Sequence, residues 1–241
     1  MRYGILSDIH SNIEALDAVL ACLNNERVDR LLCAGDLVGY GADPHLCLKR
    51  LRDNRVDAVC GNHDRAAAGQ LSLDWFNPHA RAAVEWTAGR LIPEEKEYLV
   101  QLPLVWKDDR VTVVHGTLEE PEQFHYVLDA APARRCISLQ ETSLAFIGHT
   151  HVPGFFVQED GQVRFLRSSR LEVGGRAKVL VNVGSVGQSR DGDPRAAYCL
   201  VNTDTQTVEI RRVAYPVEKT QAKIRAAGLP EFLAARLALG Y

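Results

Sequence analysis

Ile13, Leu16, Val19, Leu20 and Leu23 recur at helical spacing, so residues 12–24 predict an amphipathic helix with Asn12 at its N-cap. The apolar run Tyr3-Gly4-Ile5-Leu6 just before it predicts a strand. Two more short strands follow, over Arg30–Cys33 and 56–59. Between them a helix is predicted over 44–53, with Asp43 as N-cap and Pro44 in the first turn. The periodicity then predicts helices over 79–90 and 93–101, with residues 71–78 as a loop. Strands over 110–114 and Leu144–Ile147 enclose a partly helical stretch, 120–140. Strands alternating with helices imply parallel pairing and right-handed crossovers.

Beyond residue 152 the pattern changes. Residues 155–157, 163–166, 178–183, 197–202 and 208–213 read as strands with turn signals and no helices between them. Asp160-Gly161 predicts a hairpin turn, and the last 25 residues return to helix with a break at Gly228-Leu229-Pro230. The expected class is α/β, with βαβ units in the N-terminal half and mainly antiparallel strands in the C-terminal half. No linker-like stretch divides the halves, so one domain over 1–241 is expected, built as a two-sheet β-sandwich flanked by helices. Its motif-bearing core ends near residue 215. The helices of 216–241 are amphipathic enough to pack on their own protomer or against a second copy, which leaves homo-oligomerisation open. Gly174-Gly175, flanked by Arg170 and Arg176, is the best candidate for a mobile loop.

Composition narrows the functional classes. A net charge of −3 offers no electrostatic case for general nucleic-acid or membrane binding. No apolar run reaches membrane-spanning length, and no signal-peptide core is seen. The six cysteines are scattered without a CxxC pair; Cys22, Cys33, Cys60 and Cys199 lie in apolar segments and read as buried thiols. A reducing cytoplasm is the expected setting.

Candidate chemistry gathers at the strand ends. Asp8 and His10 stand two residues apart after the first strand, where strand alternation would aim both at one point. Asp36 follows the second strand, Asn62 and His63 the third, His115 the fourth, His149 and His151 the fifth. In open α/β sheets, sites form beyond the carboxyl ends of the strands. Lining one pocket with that many polar groups is costly unless something satisfies them, and a pair of cations does so. The donors are oxygen and nitrogen without thiolate, which suits Mn, Fe, Zn, Co or Ni. They outnumber what one ion can use, so two divalent ions sharing a bridging carboxylate are expected, roughly 3.5–4 Å apart. A water bridging such ions becomes hydroxide near neutral pH, and a leftover imidazole can protonate a leaving alkoxide.

Asp8-x-His10, Gly35-Asp36, Gly61-Asn62-His63-Asp64, His115-Gly116 and Gly148-His149-Thr150-His151 together resemble the calcineurin-like metallophosphoesterase superfamily. The stretches Gly35 to Pro44 and Asn182 to Asp193 resemble a bacterial and archaeal branch of small phosphodiesterases. The resemblance implies a β-sandwich flanked by helices. It implies one metal on Asp8, His10, Asp36 and His151, and a second on Asp36, Asn62, His115 and His149. Asp36 would be the bridge, and His63 the general acid or a phosphate contact. Asp64 is expected to orient a neighbour or cap the following helix. One departure stands out. Protein Ser/Thr phosphatases of the superfamily carry an Asp three residues after the bridging one, followed by Arg-Gly; here those positions are Gly39, Tyr40 and Gly41. This weakens a phosphoprotein-phosphatase reading and leaves open what tunes His63.

The expected substrate is a small phosphodiester or nucleotide, attacked directly by metal-bound hydroxide. Tyr40, Trp75, Phe76, Phe124 and Tyr126 are candidates to stack on a base, with simple packing as the alternative for each. Arg190 is a candidate phosphate contact, with pairing to Asp191 or Asp193 as its alternative. The competing readings are a phosphomonoesterase of the same mechanism, a nuclease, and a non-catalytic binding module on the same fold.

Overall fold

The computed structural model describes residues 1–174 and 178–241. Of the expected Gly174-Gly175 loop, Gly175 and Arg176 lie outside the described residues. The strands are β1 (Arg2–Leu6), β2 (Arg30–Cys33), β3 (Asp57–Ala58), β4 (Val105–Lys107), β5 (Val111–Val114), β6 (Leu144–Ile147), β7 (Gly154–Glu159), β8 (Gln162–Leu166), β9 (Arg170–Glu172), β10 (Lys178–Asn182), β11 (Ala196–Asn202) and β12 (Thr207–Val213). The helices are α1 (Ile13–Asn25), α2 (Pro44–Asp53), α3 (Asn62–Ala67), α4 (Pro78–Arg90), α5 (Pro93–Gln101), α6 (Ala130–Leu139), α7 (Val217–Ala226) and α8 (Glu231–Ala235). Strands β4 and β9 and helix α3 go beyond the sequence reading. At three to six residues each, they are too short to show a period.

Two six-stranded sheets form, in the orders β3-β2-β1-β11-β12-β9 and β4-β5-β6-β10-β7-β8. The expected division of the chain into a parallel and an antiparallel half holds along the sequence but not in space. Each sheet takes three strands from before residue 150 and three from after it. β1 is the seam in one sheet, parallel to β2 and antiparallel to β11; β10 is the seam in the other, parallel to β6 and antiparallel to β7. The five motif-bearing strands therefore sit in two sheets rather than in one.

Tyr3 and Ile5 of β1 enter the layer between the sheets with Leu32, Phe146, Phe155, Val181, Cys199 and Val201. Leu6 turns the other way, into a second cluster with Leu16, Val19, Leu20 and Leu23 of α1. Burial on both faces is why β1 reads as a continuous apolar run rather than an alternation. Asn12 caps α1, its Oδ1 accepting from Ala15 N at 3.1 Å. Asp43 occupies the N-cap position of α2 without a capping bond from its side chain. Its carboxylate instead accepts from Lys223 of α7 at 2.7 Å, and the same ammonium forms an ion pair with Glu14 at 2.7 Å. Through these pairs, and through Ile224, Leu233 and Leu237 against Tyr40, Ala80 and Ala83, the C-terminal helices pack on their own protomer. Cys22 is only half-buried, unlike the other five cysteines, and all six are free thiols. Among the described residues no helix is long and apolar enough to cross a membrane.

Candidate metal centre

The loops after β1 and β2 are stitched together by their backbones. Asp8 N donates to Gly35 O at 2.9 Å, His10 N to Asp36 O at 3.0 Å and Ser11 N to Leu37 O at 3.1 Å. Asp8 and His10 lie beyond the end of β1, so strand alternation does not aim them. Both are left-handed, with φ of 52° and 50°, as are Ser11, Asp36, Tyr40, His149 and His151. Such a backbone costs a non-glycine residue on the order of 1–3 kcal/mol and persists only where its surroundings over-determine it. Here the cross-loop bonds supply that determination, and the result is convergence.

Two clusters of donor atoms meet at Asp36. In the first, His151 Nε2 lies 3.1 Å and His10 Nε2 3.7 Å from Asp8 Oδ1. In the second, His115 Nε2 lies 3.2 Å from Asn62 Oδ1 and 3.0 Å from His149 Nδ1. One oxygen serves both: Asp36 Oδ2 is 3.6 Å from His10 Nε2 and 3.4 Å from His115 Nε2. The remaining oxygens are held by the protein. Asp36 Oδ1 accepts from His63 N at 2.9 Å, and Asp8 Oδ2 from Ser7 Oγ at 2.7 Å and His149 N at 3.0 Å. A ring nitrogen of His63 also comes within 4.8 Å of donor atoms on His10 and Asp36.

These residues fit divalent cations. His10, His115 and His151 each direct Nδ1 at a backbone carbonyl, of Val38 at 3.1 Å, Ala34 at 2.7 Å and Gln188 at 2.5 Å. A carbonyl only accepts, so Nδ1 carries a proton, and in the neutral rings of His10 and His151 Nε2 presents its lone pair. His10 Nε2 and His151 Nε2 then face each other at 3.1 Å as two acceptors, an arrangement that a cation between them satisfies. Burial pushes the imidazoles of His10, His149 and His151 down and keeps them neutral. Burial also pulls His115 down, but the charge and hydrogen bond of Asp36 outweigh it and bring its pKa to about 9. Burial disfavours the charged carboxylates too, yet surrounding histidines (His151 foremost at Asp8, His115 at Asp36) hold both well below the usual range.

Asp64, on the first turn of α3, belongs to neither donor cluster. Its carboxyl accepts from Leu37 N at 2.8 Å, Val38 N at 3.1 Å and Gly61 N at 3.0 Å, tying the Asp36 loop to the Asn62 turn. Burial and the nearby Asp36 charge raise its pKa to about 7. His63 is buried among aromatic rings, 4.5 Å from that of Tyr40, 4.8 Å from His10 and 5.1 Å from Phe76. Burial lowers its pKa to about 4. Among the described residues its Nδ1 has no hydrogen-bond partner.

A cavity of about 560 Å³ opens beside the clusters, bordered by Asn62, His63, Phe76, Phe124, Tyr126 and His149, with Trp75 at its rim, 93% exposed. The sequence candidates for substrate contact separate here. The Tyr40 ring is buried against His10 and His63, at 4.5 Å from each, so it forms wall rather than a free stacking face. Tyr126 lays one face on His149 at 3.8 Å. Phe124 is buried, its ring 6.0 Å from that of His115 and steeply inclined to it, at 71°. Arg190 does not pair with Asp191 or Asp193, which are taken by Arg212 and Arg195. Its guanidinium instead reaches Tyr40 Oη at 3.3 Å and Gln188 Oε1 at 3.1 Å. The groups that sequence reasoning missed are mostly backbone carbonyls, those of Ala34, Val38 and Gln188. Any residue carries a carbonyl, so no sequence signal marks them.

Known proteins match this chain over most or all of its length. The family model described as calcineurin-like phosphoesterase superfamily domain matches residues 1–206. Protein MJ0912 of Methanocaldococcus jannaschii is 38% identical, over 98% of this chain and 97% of its own. The crystal structure of a metallophosphoesterase from Sphaerobacter thermophilus is similar at 42% identity and a TM-score of 0.87, covering 100% of this chain and 99% of that one. Protein PH1004 of Pyrococcus horikoshii OT3 shares the fold at a TM-score of 0.81 with 19% identity, over 100% and 98% of the two chains.

Proposed function

This chain belongs to the calcineurin-like phosphoesterase superfamily, and from that premise we propose that it is a dinuclear metal-dependent hydrolase of small phosphodiesters, nucleotides among them. The observation that carries the reading is the shared oxygen: Asp36 Oδ2 lies between His10 Nε2 and His115 Nε2, at 3.6 and 3.4 Å. Asp8, His10, Asp36 and His151 would hold one ion, and Asp36, Asn62, His115 and His149 the other. When bound, the pair supplies positive charge to the phosphoryl oxygens and makes a water acidic enough to attack phosphorus near neutral pH.

The chain's own residues do the rest. Asn62 offers Oδ1 on the side of His115, which leaves its amide N–H groups to orient a phosphate oxygen. His63 enters neutral, and an anionic phosphoester beside it raises its pKa, so that it can donate a proton to the departing oxygen. Among the described residues no Lys or Arg borders the cavity, while Phe76, Phe124 and Tyr126 do. That lining suits a singly charged diester carrying an organic group better than a dianionic monoester. Arg190, held through Tyr40, adds positive charge behind the wall.

The test is a hydrolysis screen of manganese-loaded protein over bis(p-nitrophenyl) phosphate, cyclic nucleotides, dinucleoside polyphosphates and p-nitrophenyl phosphate, with Asp36→Asn as control. Diesters should be the better substrates, and the control should lose turnover. Faster hydrolysis of the monoesters would replace the diesterase reading with that of a phosphomonoesterase. Turnover retained in Asp36→Asn would remove Asp36 as the bridge.

A further inference from the structure

Three of the four clustered histidines are oriented by a backbone carbonyl at Nδ1: His10 by Val38, His115 by Ala34 and His151 by Gln188. His149 is built differently. Its Nδ1 is the nitrogen turned into the cluster, 3.0 Å from His115 Nε2, and among the described residues no carbonyl holds its ring. An imidazole without such a pin can rotate about its side-chain bonds and carry its donor atom away from a metal. What lies against it is Tyr126, with ring centroids 3.8 Å apart and planes 12° from parallel.

The stack is held in place from both sides in sequence. Phe124 and Val127, flanking Tyr126, are buried, whereas Tyr126 itself is half-exposed. The loop that carries them presses on Gly116, where a side-chain carbon would come within 2.7 Å of His125 O. Only a residue without a side chain lets the loop approach that closely, so the glycine after His115 serves the neighbouring histidine as well.

We infer that Tyr126 is a positioning residue that fixes the ring plane of His149 and thereby sets the affinity of the second metal site. The inference rests on the reading that the two clusters hold cations. It changes the part expected for Tyr126 from a face for the substrate to a support for a ligand. The aromatic plane does this work, so Tyr126→Phe preserves it, while Tyr126→Leu keeps an apolar side chain but removes the plane.

The experiment is calorimetric titration of Zn²⁺ into metal-free wild-type, Tyr126→Leu and Tyr126→Phe protein, with thermal unfolding of each. Wild type should bind two equivalents. Tyr126→Leu should weaken one of them by about tenfold and leave the other unchanged, as expected for loss of a stacking support to a ligand. Tyr126→Phe should bind both like wild type, and all three metal-free proteins should unfold at the same temperature. Two wild-type-like equivalents in Tyr126→Leu would overturn the inference alone. Equal weakening of both sites, a lowered unfolding temperature, or a Tyr126→Phe variant as weak as Tyr126→Leu would also overturn it. Fewer than two equivalents in wild type would overturn the two-cation reading, and the inference with it.

Discussion

Gly39 lies against His63 so closely that a side-chain carbon at Gly39 would sit 2.5 Å from His63 Nδ1. Gly39 is the position where the Ser/Thr phosphatases of the superfamily place an Asp beside their catalytic histidine. Here there is a bare glycine with φ of +96° and, among the described residues, an imidazole nitrogen left without a partner. His63 is therefore tuned chiefly by burial, among the rings of Tyr40, Phe76 and His10, which the charge of Asp36 only partly offsets.

If His63 delivers the proton, His63→Ala lowers kcat about 10²–10⁴-fold on substrates with poor leaving groups. The loss shrinks for p-nitrophenolate, which leaves without help. Zinc stoichiometry, read by calorimetry, stays at the wild-type value. Gly39→Ala displaces the same ring and strains a left-handed position, so it lowers both kcat and the unfolding temperature. Equal losses on good and poor leaving groups in His63→Ala would exclude the proton-donor role.

Asp64→Ala leaves the N–H groups of Leu37, Val38 and Gly61 without their acceptor. Each buried unmet donor costs about 1–3 kcal/mol, so urea unfolding should reveal a loss of several kcal/mol. Metal affinity should fall as well, because these bonds hold the turn that presents Asp36. Asp64→Asn keeps an oxygen for one side of the turn and should fall between wild type and Asp64→Ala.

The metal-free protein should be most stable near neutrality. His10, His63, His149 and His151 are held below the ordinary histidine value of 6.5, His63 at about 4. Their neutral form stabilises the fold above pH 6.5, and that contribution is lost as pH falls toward 4, because the unfolded chain takes up the protons first. His115 and Asp64 act in the opposite sense. Asp64, raised to about 7, contributes stability below pH 3.8 that is lost as pH rises through 7. His115, raised to about 9, contributes below pH 6.5 and loses that contribution through pH 9. Urea unfolding of chelator-treated protein from pH 4 to 9 should trace a dome that is steeper on its acid side. A flat acid limb would mean that the four imidazoles are not buried together.

Trp75 is 93% exposed at the rim of the cavity, so Trp75→Ala should leave the unfolding temperature unchanged. If the rim stacks on a base, KM for nucleotide diesters should rise about 5–100-fold, given roughly 1–3 kcal/mol per stacked base. Simple alkyl diesters should be unaffected. An equal change for both substrate types would mean that Trp75 does not read the aromatic group.

Much of the fold was legible in the chain because its period and its caps are local: the α1 stripe from Ile13 to Leu23, the Asn12 cap and the Asp160-Gly161 turn each depend on residues a few positions apart. The candidate donors Asp8, His10, Asp36, Asn62, His115, His149 and His151 stood out for a different reason. Their residue types at successive strand ends are chemically conspicuous whatever the path between them. The distribution of strands over two sheets was not legible. β1 pairs with β2 and with β11, nearly two hundred residues apart, and β10 joins β6 and β7 in the other sheet. Tertiary structure also decided how the donors converge. Left-handed turns at Asp8, His10, Asp36, His149 and His151 aim them, and backbone carbonyls orient three of the imidazoles. Turn conformations held by partners from another loop, and acceptors that every residue carries, leave no mark on side-chain identity. The roles of Tyr126 and Gly39 likewise come from what lies against them in space, His149 for one and His63 for the other.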